Sequence, residues 1–245
     1  MSAPSPADVP RCHGMADSYG LFCHGVGKQT EGYSSAAQKW LSAAREPHGG
    51  TYGSEVLWSQ ILDAPEQAMM REVGKRGSAN RPLQRLVVET LADALSYRNR
   101  LPALLERFDM AYARLRAPDA INLYCHSLGV VLGVEWLRQR PSVRVNKFIS
   151  FGVNLQLFHL GAEGQFVSPP QLARAGVWES YFSDTDCLGF PIRGWIPQAT
   201  DTEVEVGGWF TRWNGLSHLA YWDDKAFWKK QVAPRTKVGP SGVAP

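Results

Sequence analysis

The chain is predicted to be an α/β protein with a mainly parallel central sheet and helices on both faces. Three observations predict it. Short apolar runs of strand length alternate with longer segments of helical period, which implies parallel strands joined by crossover helices. The 245 residues suit one domain large enough to bury a sizeable core. Hydrophobic residues make up 44% and charged residues 20%, the balance of an ordinary globular protein, and no internal repeat or low-complexity block interrupts the body of the chain.

The elements follow in order. Leu21-Phe22-Cys23 is a short apolar strand that runs into His24-Gly25-Val26-Gly27. Residues 34–45 are predicted helical, with Ala37, Trp40 and Leu41 on one side, and 55–58 form a second strand. Residues 65–116 are mostly helical. Leu86, Val87, Leu91 and Leu95, then Leu101, Leu104, Leu105 and Phe108, recur at helical spacing, and Pro102 marks a break or a new start. Residues 120–124 form a strand, 127–140 a helix that Pro141 stops, and 144–151 another strand. A loop over 161–170 precedes a strand over 177–182. Val204 and Val206 alternate with Glu203 and Glu205, predicting a short half-exposed strand, and 223–231 are a last helix. Residues 1–17 and 233–245, rich in small residues, Pro and Gly, are expected as flexible tails around one domain over 18–232.

Charge and composition exclude several function classes. A net charge of +3 without a basic stripe gives no reason to expect nucleic acid or an anionic membrane as partner. No run of about 18 apolar residues is present, so no stable membrane insertion is expected. The first ten residues lack a cationic start and an apolar core, unlike a secretory signal, which favours a cytoplasmic location. Cys12, Cys23, Cys125 and Cys187 have no metal-site or redox-motif spacing and are expected as free thiols; Cys23 and Cys125 both end predicted strands and could lie close together.

The most informative segment is Ile121-Asn122-Leu123-Tyr124-Cys125-His126-Ser127-Leu128-Gly129. An apolar strand leads into a serine, and a helix follows. This is how a nucleophile elbow, G-x-S-x-G, holds a hydroxyl above the end of a sheet. In parallel sheets sites form at that carboxyl end. A serine hydroxyl is a poor nucleophile until a base takes its proton, so a histidine and an acid must come from elsewhere. Downstream stand Ser183-Asp184-Thr185-Asp186-Cys187-Leu188-Gly189-Phe190-Pro191 and Leu216-Ser217-His218-Leu219-Ala220-Tyr221-Trp222. Asp186 and Asp184 both compete for the acid role, and either could instead be a solvated loop carboxylate. His218 is the candidate base, because histidine exchanges protons near neutrality; its alternative is a packed histidine among tryptophans. His126 adjoins the serine and is expected to point away from it, and His159 precedes the acids. Gly25-Val26-Gly27-Lys28-Gln29-Thr30 superficially suggests a phosphate loop, but Phe22 stands where such a loop needs Gly and Gln29 where it needs a hydroxyl.

Taken together, His24-Gly25-Val26-Gly27, His126-Ser127-Leu128-Gly129, Asp184 to Pro191 and Ser217-His218 to Tyr221-Trp222 resemble the bacterial lipase/esterase-like α/β-hydrolases over roughly residues 18–230. The resemblance implies the α/β-hydrolase fold and the chain order serine, acid, histidine. It makes Ser127 the nucleophile, Asp186 the orienting acid and His218 the base. The Leu128 N–H, after the nucleophile, and the Val26 N–H would hold the oxyanion, with His24 anchoring the loop that carries Val26. No metal or organic cofactor is implied. The expected substrate is a small-molecule or lipid-like ester. A thioesterase, an acyltransferase, or a non-catalytic binding module on the same fold are the alternatives. Two departures stand out: Cys125 occupies the first Gly position of the elbow, and Phe151-Gly152-Val153-Asn154-Leu155 replaces the Gly-Ser-Pro-Leu often found in relatives. Residues 154–176, with Leu155, Leu157, Phe158 and Leu160, could form a lid or pack as a helix. Trp195, Trp209, Trp213, Trp222 and Trp228 could pack in the core or line an apolar pocket beside His218.

Overall fold

Apolar residues on successive strands point alternately to two faces, and each face acquires its own core. The computed structural model describes residues 18–26, 29–43, 51–75, 82–115, 118–156, 169–173, 177–213 and 216–232. Six strands, β1 (Ser18–Cys23), β2 (Thr51–Val56), β3 (Ile121–His126), β4 (Val145–Phe151), β5 (Trp178–Phe182) and β6 (Ala199–Glu203), form one sheet in the order β2-β1-β3-β4-β5-β6. Every ladder in it is parallel. The expected α/β class with a parallel sheet is therefore what the chain adopts. In register, Leu21 faces Leu123, and Cys23 faces Cys125; both of these thiols are buried and free.

Leu21, Cys23, Leu123, Cys125, Phe148 and Trp178 point to one face. There they pack with residues of α3 (Pro82–Ala113) and α4 (Leu128–Gln139), including Leu104, Phe108, Leu132 and Trp136. Phe22, Tyr124, Ile149, Phe151 and Tyr181 point to the other face, against α1 (Ser35–Ala43) through Ala37 and Leu41 and against Tyr221, Phe227 and Trp228. Burial of each large apolar side chain contributes about 1.5–3 kcal/mol, which is what two-sided coverage of a parallel sheet supplies. Helix α2 (Ser59–Lys75) and a short α5 (Trp209–Trp213) complete the α-helices longer than one turn among the described residues. None of these is long and apolar enough to cross a membrane.

Several element boundaries differ from expectation. Pro102 neither breaks nor restarts a helix: α3 runs through it. Buried Tyr97 before it and buried Leu104, Leu105 and Phe108 after it anchor both halves, so packing outweighs the lost backbone hydrogen bond. The buried stripe of α3 passes through Thr90, Asp93, Tyr97, Leu104, Phe108 and Ala111, while Leu91 (52% exposed) and Leu95 (70%) lie off it. Two polar residues take the inward positions that the leucine spacing was expected to fill. Strand β2 starts four residues earlier than expected. Strand β6 ends at Glu203; Val204 and Val206 are buried as their alternation implies, but beyond the ladder, in the second core.

The last helical segment also differs. It is helical from residue 225 and widens into a π-helical turn at Phe227–Val232. Trp228 Nε1–H reaches the Tyr221 and Trp222 carbonyls at 2.9 and 3.1 Å. The expected tails, the loop at 161–168 and most of the expected lid at 154–176 lie outside the described residues.

Candidate active site

Strand β3 ends in a sharp turn at Ser127, where α4 begins. Ser127 has φ 52° and ψ −125°, and among the described residues it is the one non-glycine with positive φ. Such a backbone costs on the order of 1–3 kcal/mol and persists only where surroundings enforce it. Here the Ser127 N–H donates to the Phe151 carbonyl at 3.1 Å and the Val130 N–H donates to the Ser127 carbonyl at 2.9 Å, fixing the turn to β4 and to α4. The incoming loop from β1 presses against it. A methyl group on Gly25 would lie 2.6 Å from Ser127 Cβ and 2.8 Å from His126 Nδ1. Cys125, the large residue at the elbow's first position, is accommodated from the other side: a Cβ on Gly133 of α4 would stand 2.9 Å from its sulfur.

Two loops beyond β5 and β6 bring the acid and the imidazole. They are tied together by a bridge between Asp186 and Leu216 and by the Thr185 hydroxyl, which donates to Ser217 Oγ at 3.1 Å. His218 Nε2 lies 3.0 Å from Ser127 Oγ, and its Nδ1 lies 2.8 and 3.0 Å from the two Asp186 oxygens. Asp186 Oδ1 also accepts the Leu188 and Gly189 N–H groups, each at 2.9 Å. A Cβ on Gly189 would collide with Asp186 Oδ2, so the turn closes on the carboxylate without a side chain between. Ser127, Asp186 and His218, far apart in sequence, thus form one buried chain of hydrogen bonds. Asp184 is exposed and takes no part in it.

Leu128 follows Ser127 directly, and Val26 follows the Gly25 that presses on it. Leu128 is the first residue of α4, so its N–H belongs to the turn that has no intrahelical carbonyl to meet. Val26 is buried, one residue past the Gly25 contact. His24 fixes the peptide that carries it: Nδ1–H donates to the Gly25 carbonyl at 2.7 Å, and in a trans peptide the Val26 N–H points the opposite way. The His24 ring stacks on Trp58 at 4.6 Å, and the Trp58 N–H reaches its Nε2 at 3.4 Å. Burial pushes His24 down to about 4, so it is neutral at ordinary pH, as an anchor requires.

His126 is not remote from the site. Its ring lies 4.7 Å from that of His218 and stacks on Phe151 at 5.4 Å. Burial first, and then neighbouring His218, hold it well below the usual imidazole range, so it adds no charge beside His218. The Tyr221 phenol is likewise held up by burial and by the Asp186 charge, and stays protonated. Of the tryptophans, Trp222 and Trp228 belong to the core, whereas Trp195 and Trp209 are exposed. Among the described residues no group of His, Cys, Asp and Glu is arranged to hold a metal ion.

Asn154 is the residue that the sequence reading missed. It is fully buried, three residues past the end of β4, and its Nδ2 lies 3.1 Å from Ser127 Oγ. The available signal was a polar residue just after the strand that neighbours β3, within the segment that departs from the Gly-Ser-Pro-Leu pattern. No protein-family model matches the chain, and no curated protein does.

Proposed function

We propose that the protein is a serine hydrolase of α/β-hydrolase fold that cleaves carboxylic esters through an acyl-enzyme. One observation carries the reading: a strained, buried serine within hydrogen-bonding distance of an imidazole whose other nitrogen is held by a buried carboxylate. Strain at a single polar residue is expected where a hydroxyl must be presented for chemistry. The placement of serine after β3, acid after β5 and histidine after β6, all at the carboxyl end of a parallel sheet, supports the fold assignment.

In this mechanism Asp186 accepts from His218 Nδ1–H, which leaves Nε2 as the acceptor for the Ser127 proton. Oγ attacks the acyl carbon, and the Val26 and Leu128 N–H groups stabilise the oxyanion. His218 then protonates the leaving alcohol. Water repeats the sequence on the acyl-enzyme. His24 acts at one remove, by directing the Val26 N–H.

A fluorophosphonate probe tests the reading. The wild-type protein is expected to label at Ser127, and Ser127→Ala to remain unlabelled. No labelling of folded wild-type protein would sink the proposal. Nitrophenyl esters of rising acyl length, beside thioesters of the same acyl groups, then define the leaving group and chain length.

A further inference from the structure

Ser127 Oγ touches two nitrogens, His218 Nε2 at 3.0 Å and Asn154 Nδ2 at 3.1 Å. The hydroxyl has one proton to give. With His218 Nδ1 directed at Asp186, Nε2 is the acceptor and takes that proton. The Asn154 amide, which carries only donors on its nitrogen, must then donate to an Oγ lone pair. Its own Oδ1 is buried and meets no hydrogen-bond donor among the described residues, an arrangement that carries a cost. The side chain is therefore held for its donor end.

We propose that Asn154 is a catalytic donor to Oγ that acts chiefly on the release of the acyl group from Ser127; this rests on the reading of Ser127 as the nucleophile. In acylation the Oγ proton passes to Nε2, and an Oγ electron pair forms the bond to the acyl carbon. The bond from that carbon to the alcohol oxygen breaks, and the departing oxygen takes the proton from Nε2. A donor on Oγ stabilises its developing negative charge but also draws on the electron density that must attack. The two effects oppose each other.

In deacylation they do not. Water gives a proton to Nε2 and bonds to the acyl carbon. The carbon–Oγ bond breaks, its electron pair stays on Oγ, and the proton returns there from Nε2. The Asn154 N–H withdraws density from Oγ while the ester is intact, which makes the acyl carbon more electrophilic. It then stabilises Oγ as it leaves. Asn154 accelerates the second half of the cycle more than the first.

Stopped-flow release of nitrophenol from nitrophenyl acetate tests this, with intact mass reporting the acetyl-enzyme and fluorophosphonate labelling counting competent sites. Asn154→Leu is expected to deacylate about tenfold more slowly, the scale of one hydrogen bond to a reacting atom, with acylation changed less. It should therefore show a nitrophenol burst matching the labelled sites and accumulate acetyl-enzyme relative to wild type. An equal fall in both steps, or no accumulation, would overturn the proposal. Asn154→Asp provides the isosteric check should the leucine variant lose its near-ultraviolet dichroism. Its carboxylate competes for the Ser127 proton, so acylation should slow at high pH and recover once the side chain is protonated and can donate again. A defect in Asn154→Asp that is independent of pH would also overturn it. Wild-type protein that neither labels nor acetylates would remove both this proposal and the serine-hydrolase reading, whereas a wild-type protein that labels beside an Asn154→Leu variant with wild-type kinetics would remove this one alone.

Discussion

Stability should fall steeply as pH drops through the imidazole range, because two histidines are buried in the neutral form. His24 titrates at about 4 in the folded chain against an ordinary value of 6.5, and His126 is also held well below that value. Both shifts have burial as their largest cause. Between these pH values the unfolded chain binds protons that the folded chain refuses, so stability rises with pH. The contribution is fully present above the unfolded value, is lost as pH falls toward the folded value, and changes no further below it.

For His24 the gap corresponds to about 3 kcal/mol across the window, at about 1.4 kcal/mol per pH unit in its middle. His126 adds a second proton in the same direction. Asp109, which Arg140 and Trp136 hold below the usual carboxylate range although partial burial opposes it, has its own contribution below this window. Urea unfolding from about pH 7.5 to about pH 4.5 at constant ionic strength measures the slope. His24→Asn should be less stable at neutral pH yet lose close to one proton from that slope. A wild-type stability flat across the window, or an unchanged slope in His24→Asn, would refute the neutral, buried assignment.

Turnover of a nitrophenyl ester is expected to fall roughly a thousandfold or more in Ser127→Ala and in His218→Ala; undiminished turnover in His218→Ala would remove the base. Asp186→Asn should be strongly impaired and Asp184→Asn close to wild type, since only Asp186 reaches the imidazole. Gly25→Ala places a methyl 2.6 Å from Ser127 Cβ, so thermal unfolding should show a loss of about 1–3 kcal/mol and fluorophosphonate labelling should slow. Ser127→Ala and Ser127→Gly both delete the hydroxyl, but only glycine accepts φ 52° without strain. The glycine variant should therefore be the more stable by denaturant unfolding, despite the ~0.5–1 kcal/mol that glycine ordinarily costs.

Period and chain order made the architecture legible. Leu21 to Cys23 and Ile121 to Tyr124 lie in two-sided strands, apolar except for the buried Asn122, and both runs fall within β1 and β3 because a parallel sheet needs such runs. In α3, inward Thr90 and Asp93 and outward Leu91 and Leu95 invert the usual correlation between polarity and burial, so leucine spacing marked the wrong stripe there, whereas Leu104, Leu105 and Phe108 are buried as their spacing implies. Beyond β6, Val204 still donates its N–H to the Phe182 carbonyl of β5, but Val206 is buried outside the ladder, so alternation alone overextended the strand. Within the candidate site, the serine, acid and imidazole were legible from motif order. Asp186 was favoured over Asp184 by resemblance alone; in space the Leu188 and Gly189 amides and the His218 ring meet Asp186. Asn154 was illegible because one asparagine after a strand carries no pattern; its meaning comes from the neighbouring position of β4 beside β3.

The costs collected around Ser127 argue against a purely structural role for this corner of the fold. A strained serine, and a buried His126 Nε2 and Asn154 carbonyl that meet no partner among the described residues, each oppose folding, and an apolar packing of equal volume would carry none of these terms. What they secure is geometry. The β1 loop touches Ser127 through Gly25, the β4 end reaches it through Asn154, and the crossed loops after β5 and β6 deliver His218 already oriented by Asp186. Four strand ends of a parallel sheet thereby hold one hydroxyl between a proton acceptor and a proton donor. A site assembled for packing alone would have no need to fix the direction of a single proton.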